Sequence, residues 1–186
     1  LVIGAGGSLA KYVIESLQNV QDFYLTLLAR NKSRIAVDST NCTIVEADVM
    51  DYEKLKTAVA GQDIVYVNLA VNLKPMVNNI VKAMNEQVVK RIVAISSIGI
   101  YETPIKSVLI PYRKLADIVE ASGLDYTILR LDWFTNGNEI DYSVTKKGTP
   151  EKRSAISRKC IAAFISTIIV NPGLHRNENL GISKPN

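Results

Sequence analysis

The chain is poor in the side chains that build metal centres and nucleophilic triads. Its 186 residues include two cysteines, Cys42 and Cys160, and a single histidine, His175. Zinc sites draw on clustered Cys and His ligands, and no C-x-x-C pair or Cys/His cluster occurs. Neither a histidine-rich metal site nor a Ser-His-Asp triad is therefore expected. The cysteines are far apart, each in an apolar context, which predicts two buried free thiols in a reducing, cytoplasmic setting. No run of eighteen or more apolar residues is present, so no helical membrane span is expected. No charged-then-apolar segment with a cleavage site marks a signal peptide. The excess of one charge over the other is also small. The net charge is +4, and the basic residues are scattered, densest at Arg30–Arg34 and Lys146–Lys159. Short basic runs are more often solvated surface than a nucleic-acid patch, so no nucleic-acid partner is expected.

What the chain does have is strict alternation. Phe23–Ala29, Cys42–Ala47, Asp63–Ala70, Arg91–Ser96 and Tyr126–Leu129 are short apolar runs that read as strands. Between them lie helical patterns. Leu9, Val13, Ile14 and Leu17 share one face. Asp51 can cap a helix closed by Gly61, and Pro75 and Pro111 start two more. Near-continuous apolar strands are buried on both faces. Strand and helix in alternation form right-handed βαβ units around a parallel sheet. The reading is one doubly wound α/β domain over residues 1–186, a parallel sheet between two helix layers. A long helix is expected from Ser154 to Val170, stopped by Asn171-Pro172-Gly173, with a short strand at Leu180–Ser183 adding to the sheet edge. The sequence opens almost at a glycine turn, so the first strand is expected to begin upstream of Leu1.

That opening carries the first chemical signal. Leu1-Val2-Ile3 ends a buried strand, Gly4-Ala5-Gly6-Gly7 makes a tight turn, and Ser8-Leu9 opens a helix. Glycines let the backbone approach a pyrophosphate, and the helix end offers free N–H groups and partial positive charge. The spacing Gly4-x-x-Gly7-x-x-Ala10 is a variant of the dinucleotide fingerprint, with Ala10 the small residue at the helix–sheet contact. The residue after the second strand tests this reading. An acid there would bind the ribose hydroxyls of NAD; here it is Arg30, followed by Ser33 and Arg34. A guanidinium binds phosphate through a planar fork and stacks on adenine, which points to the 2′-phosphate of NADP. Asp48 can accept from an adenine amino group with Val49 beside the ring, or it can simply cap the next helix. Asn68-Leu69-Ala70 and Ser96-Ser97 end strands at the carboxyl edge, where ligands of open sheets bind. Tyr112 points from the same edge.

These residues, with Ile98-Gly99-Ile100-Tyr101, Asp125-Tyr126-Thr127-Ile128-Leu129-Arg130 and Ile156-Ser157-Arg158, resemble the atypical short-chain dehydrogenases, and among them the NmrA-like NAD(P)-binding group. The resemblance spans nearly the whole chain and implies a Rossmann-type domain that binds NADP, with NAD possible. It also implies a serine at Ser97 and a Tyr-x-x-x-Lys pair, of which Tyr112 is the best tyrosine match. The residue four positions on is Ala116, and Lys114 faces elsewhere on the helix. Without that lysine a phenol keeps a pKa near ~10 and transfers protons poorly at neutral pH. Leu131 stands where many relatives have proline. Relatives also carry a longer loop before the tyrosine helix, and the short join Ile100–Pro111 raises the expectation that part of this loop is absent from the sequence.

Three functions follow. One is an NADPH-dependent oxidoreductase on a small molecule, with Ser97 on the substrate carbonyl, Tyr112 or water supplying the proton, and Asp132, Trp133 and Asn136 lining the substrate side. Another is an NADP-sensing regulator that signals through a partner protein or a homodimer. The third, a sugar-nucleotide epimerase or dehydratase, would need a substrate lobe this chain is short of.

Overall fold

Gly7, Asp51 and Ser157 set where three of the helices begin, and the apolar runs between helices pair into one large sheet. The computed structural model describes residues 1–18, 20–37 and 40–185. In chain order the elements are β1 (Val2–Ile3), α1 (Ser8–Leu17), β2 (Leu25–Ala29), β3 (Cys42–Glu46), α2 (Tyr52–Val59), β4 (Ile64–Val67) and α3 (Leu73–Glu86). They continue with β5 (Arg91–Ser97), α4 (Ile110–Glu120), β6 (Asp125–Leu131), β7 (Phe134–Thr135), β8 (Ser143–Lys146), β9 (Ile156–Ser157), α5 (Arg158–Val170) and β10 (Glu178–Ser183).

The large sheet has the order β3-β2-β1-β4-β5-β6-β10-β8. All pairings are parallel except β10 with β8. Two apolar clusters cover its faces. One joins the buried stripe of α1 (Leu9, Val13, Ile14, Leu17) to that of α5 (Ile161, Phe164, Ile165, Ile168). The other joins α2, α3 and α4 through Leu55, Val77, Ile80, Met84, Leu115 and Val119. This is the doubly wound Rossmann-type arrangement, helices on both faces of a mostly parallel sheet. Its direction of winding reverses at β1, which has β2 on one side and β4 on the other. Ligands of such sheets bind in the crevice beyond the carboxyl ends at that switch point.

The C-terminal third departs from expectation. The last strand is not at the edge: β10 inserts between β6 and β8, and antiparallel β8 forms the border through Leu180–Lys146 and Ile182–Val144. The long helix starts at Arg158, because the Ser157 hydroxyl accepts from the Cys160 N–H and ends the preceding extended backbone. Ile156 and Ser157 are instead a strand paired with Phe134 and Thr135. The helices expected at Pro75 and Pro111 each begin earlier, at Leu73 and Ile110, since proline fits the first turn, where its missing N–H costs nothing. The join before α4 is a turn followed by a 3-10 helix at Ser107–Leu109. Cys160 is buried as expected, whereas Cys42 is only half-buried. Among the described residues no helix is long and apolar enough to cross a membrane.

Candidate functional site

The glycine turn is shaped by close backbone approach. Gly4 has φ +82°, and a β-carbon there would lie 2.1 Å from the Asn68 carbonyl oxygen. Both Gly4 and Ala5 donate backbone N–H bonds to Leu28 O, at 3.0 and 3.1 Å, and Gly7 N closes the turn on Gly4 O at 3.0 Å. A β-carbon on Gly7 would fall 2.7 Å from Asn68 Nδ2, and one on Gly6 would fall 3.1 Å from Arg34 Cβ. The three glycines thus let the turn after β1 lie close against the ends of β2 and β4. The first hydrogen bond of α1 runs from Lys11 N to Gly7 O, and no side chain caps the helix. The N–H groups of Ser8, Leu9 and Ala10 are left without helical acceptors. Leu9 and Ala10 are buried against the sheet, so Leu9 can offer a ligand only its backbone, while Ser8 also presents an exposed hydroxyl. A glycine turn too tightly packed for β-carbons, leading into a helix with free first-turn N–H groups, fits a diphosphate.

The second-strand residues lie beside this cradle. Arg30 is exposed just past β2. Lys32–Arg34 form a 3-10 turn in which Ser33 donates from both N–H and hydroxyl to Asn31 Oδ1, at 2.9 and 2.7 Å. Arg34 runs back across Gly6. One carboxylate that the sequence did not single out enters here: Glu46, at the end of β3, accepts from the Lys32 N–H at 3.0 Å.

At the adenine side, Asp48 is exposed and its Oδ1 accepts from Met50 N at 2.8 Å. Helix α2 is capped by Asp51 instead, through Lys54 N, and the second Asp48 oxygen has no hydrogen-bond partner among the described residues. Val49 is a core residue, and its carbonyl accepts from Asn79 Nδ2 at 3.2 Å. Asn68 is half-buried against Gly4 and Gly7. Leu69 is half-buried against the apolar cluster on the α2–α4 side of the sheet, and Ala70 is exposed. Val71 and Asn72 then adopt left-handed backbone, φ +62° and +39°, a costly conformation for a β-branched residue.

The catalytic candidates are less closely assembled. Ser96 is buried and donates its hydroxyl to Tyr112 O at 3.1 Å, bracing β5 against the first turn of α4. Ser97 is half-buried and donates to Ile98 O at 3.1 Å. No hydrogen bond joins Ser97 to the Tyr112 hydroxyl among the described residues. Ala116, one helical turn beyond Tyr112, is fully buried in the core under α4. Trp133 is 81% exposed beyond β6, with Asp132 half-buried next to it.

A buried polar cluster backs this edge. Arg130, 1% exposed at its side chain, pairs with Glu151. Its Nη1 donates to Asn179 O at 2.9 Å. Glu151 also accepts from Gly99 N at 2.7 Å, so the turn after Ser97 is pinned by a residue far along the chain. Burial, first, holds the Tyr101 phenol above its ordinary range, with nearby Glu120 adding to the effect. The sequence showed Arg130 as part of a motif, but its partners come from segments far along the chain.

Topology, cradle and strand-end residues define a Rossmann-type dinucleotide-binding domain. The chain belongs to the NAD(P)H-binding family, whose model matches residues 4–172. It is 42% identical to a Rossmann-fold NAD(P)-binding family protein from Shigella flexneri, covering 99% of this chain and 92% of that one with a TM-score of 0.91. A short-chain dehydrogenase/reductase from Veillonella parvula, solved in complex with NADP, is 25% identical over 99% of this chain and 93% of its own, with a TM-score of 0.87. An ethylated short-chain dehydrogenase/reductase from the same organism matches at 24% identity, 99% and 93% coverage and a TM-score of 0.90. No curated protein matches.

Proposed function

We propose that the chain is an NADP(H)-dependent oxidoreductase acting on a small molecule. The observation that carries the cofactor preference is the basic turn after β2: Arg34 crosses Gly6, Arg30 is exposed at the strand end, and Ser33 follows in the same turn. A 2′-phosphate is a dianion with several acceptor oxygens, and a pair of guanidiniums suits it better than a ribose diol. The Veillonella parvula relative solved with NADP supports the same choice. Gly4, Gly6, Gly7, Ser8 and Leu9 would hold the diphosphate, Asp48 and the Val49 backbone the adenine, and Asn68, Leu69 and Ala70 the nicotinamide ribose. When bound, the cofactor supplies a hydride. The protein's part is to orient the acceptor over the ring, with Ser97 holding a carbonyl oxygen and Tyr112 or water supplying the proton. A reducing cytoplasmic setting suits both the free thiols and NADPH.

A second reading has a specific observation behind it. The position that would carry the Tyr-x-x-x-Lys lysine is Ala116, sealed in the core. An NmrA-like sensor, which binds NADP without chemistry and reports to a partner protein or a second copy, needs no proton relay. The deciding experiment is paired. NADPH and NADH are titrated by nicotinamide fluorescence, and NADPH oxidation is followed with quinones, aldehydes and flavins. The oxidoreductase reading expects tighter NADPH binding and turnover with at least one acceptor class; tight binding with no turnover selects the sensor.

A further inference from the structure

Arg158 breaks a local rule. It is the first residue of α5, a helix of 13 residues, and a cation at a helix N-terminus opposes the partial positive charge there. Its side chain leans toward a second helix start. The Nε–H reaches Ser8 Oγ at 3.4 Å, and Ser8 opens the uncapped α1. Nη1 donates to Thr135 O at 3.2 Å and to Asn136 Oδ1 at 2.7 Å, and the guanidinium sits 5.3 Å from the Phe134 ring centroid. All of these acceptors are neutral. Two helix N-termini and one guanidinium converge without a carboxylate among their described hydrogen-bond partners. Such an excess of positive potential in a fixed geometry suits an anion.

We infer that Arg158 is a binding residue for the diphosphate bridge of the cofactor, closing the glycine cradle from the α5 side. This rests on the cofactor reading above and adds to it a division of labour. Arg30 and Arg34 take the 2′-phosphate at one end of the adenosine; Arg158 takes the diphosphate in the middle and is indifferent to the 2′ position. The short strand β7, paired with β9 just ahead of Arg158, is what holds the guanidinium in place: Thr135 O and Asn136 Oδ1 fix its orientation before any ligand arrives. Preorganised charge of this kind contributes to affinity without an ordering cost on binding.

The test uses three ligands against the whole chain: NADP+, ADP-ribose, which keeps the diphosphate and lacks the 2′-phosphate, and 2′-AMP, which lacks the diphosphate. Arg158→Gln keeps a donor for Thr135 and removes the charge; Arg158→Lys keeps the charge. Dissociation constants are measured by calorimetry, with thermal melting of each variant alongside. Arg158→Gln is expected to weaken NADP+ and ADP-ribose about tenfold, the scale of one charge-assisted hydrogen bond, and to leave 2′-AMP unchanged. Arg158→Lys is expected to recover part of the loss. Unchanged NADP+ and ADP-ribose affinities would overturn the Arg158 assignment and leave the cofactor reading standing. A parallel loss for all three ligands would show general distortion and overturn it as well. A wild-type chain that fails to bind NADP+ and ADP-ribose would sink both.

Discussion

Gly4 and Asn68 are fitted so closely that no side chain can stand between them: a β-carbon at residue 4 would meet the Asn68 carbonyl oxygen at 2.1 Å. The obstacle is backbone of the neighbouring strand, held by Asn68 N on Ile3 O at 2.9 Å, so it cannot rotate aside. Gly4 also has positive φ, which costs an L-residue roughly 1–2 kcal/mol. With the overpacking term added, Gly4→Ala is expected to destabilise the fold by about 3 kcal/mol. Gly7→Ala meets its closest obstacle in the Asn68 side-chain amide, which can turn away, and a milder one in the Gly4 carbonyl oxygen at 3.2 Å. Its stability loss should stay near ~1 kcal/mol, while cofactor affinity falls because the added methyl displaces Asn68 at the cradle. Urea unfolding and NADPH titration of the two variants check this. Equal unfolding midpoints for Gly4→Ala and wild type would contradict the geometry.

Arg30 should decide between the two nicotinamide cofactors. Arg30→Asp places a carboxylate where the 2′-phosphate is expected and adds to the negative charge of Glu46 nearby. NADP+ binding is expected to weaken by about 1.5–3 kcal/mol, the range for a charge-assisted hydrogen bond, with NAD+ binding changed far less. Titration of both nucleotides against both proteins reads this directly, and an equal loss for each would refute the assignment.

The sequence made the switch point legible and the far edge illegible, for physical reasons. A glycine turn, buried apolar strands and an arginine after the second strand are local signals, since each depends on residues adjacent in the chain. β8 has no such signal. Ser143-Val144-Thr145-Lys146 alternates partly buried and exposed positions with one strongly apolar residue, and it is a strand because β10 offers it an edge. Arg130 was readable as part of a strand, but its partners Glu151 and Asn179 are set by topology rather than by spacing. Ser96 and Ser97 read as equivalent turn residues. Only the position of α4 shows that the Ser96 hydroxyl is engaged by the Tyr112 carbonyl. Arg158 was visible as part of a pattern, and its approach to Ser8 was not.

Tyr66 offers a test of the core. It is 1% exposed, and its hydroxyl has no hydrogen-bond partner among the described residues. An unpaired buried hydroxyl costs free energy, so Tyr66→Phe is expected to stabilise the fold by about 1 kcal/mol. Burial also pushes the phenol far above its ordinary range. Below pH ~10 both folded and unfolded chains keep the proton. Above it only the unfolded chain releases the proton, so stability falls as pH rises. Tyr66→Phe should therefore show a shallower alkaline loss of melting temperature. An unchanged alkaline slope together with a lower melting temperature would mean the hydroxyl has a partner that stabilises the fold.

Ala116 gives the sharpest test of whether the chain can be turned into a standard carbonyl reductase. A lysine introduced by Ala116→Lys would enter a position that is fully buried beneath α4, among Leu115, Val119 and the α3 side chains. Its stem overfills a packed site, and its ammonium loses water without gaining a carboxylate. The expected outcome is a loss of about 3 kcal/mol in stability and no gain in aldehyde or ketone reduction. Lys114→Ala, on the exposed side of the same helix, should change stability by no more than about 0.5 kcal/mol. Because Tyr112 and Ala116 are one turn apart, they share a face. A stable Ala116→Lys protein with new reductase activity would mean that this face opens onto the cofactor, and that only one side chain separates the chain from proton-coupled chemistry. The predicted collapse would mean the helix has turned that face into core, and that any reaction at the nicotinamide must proceed without the tyrosine–lysine relay.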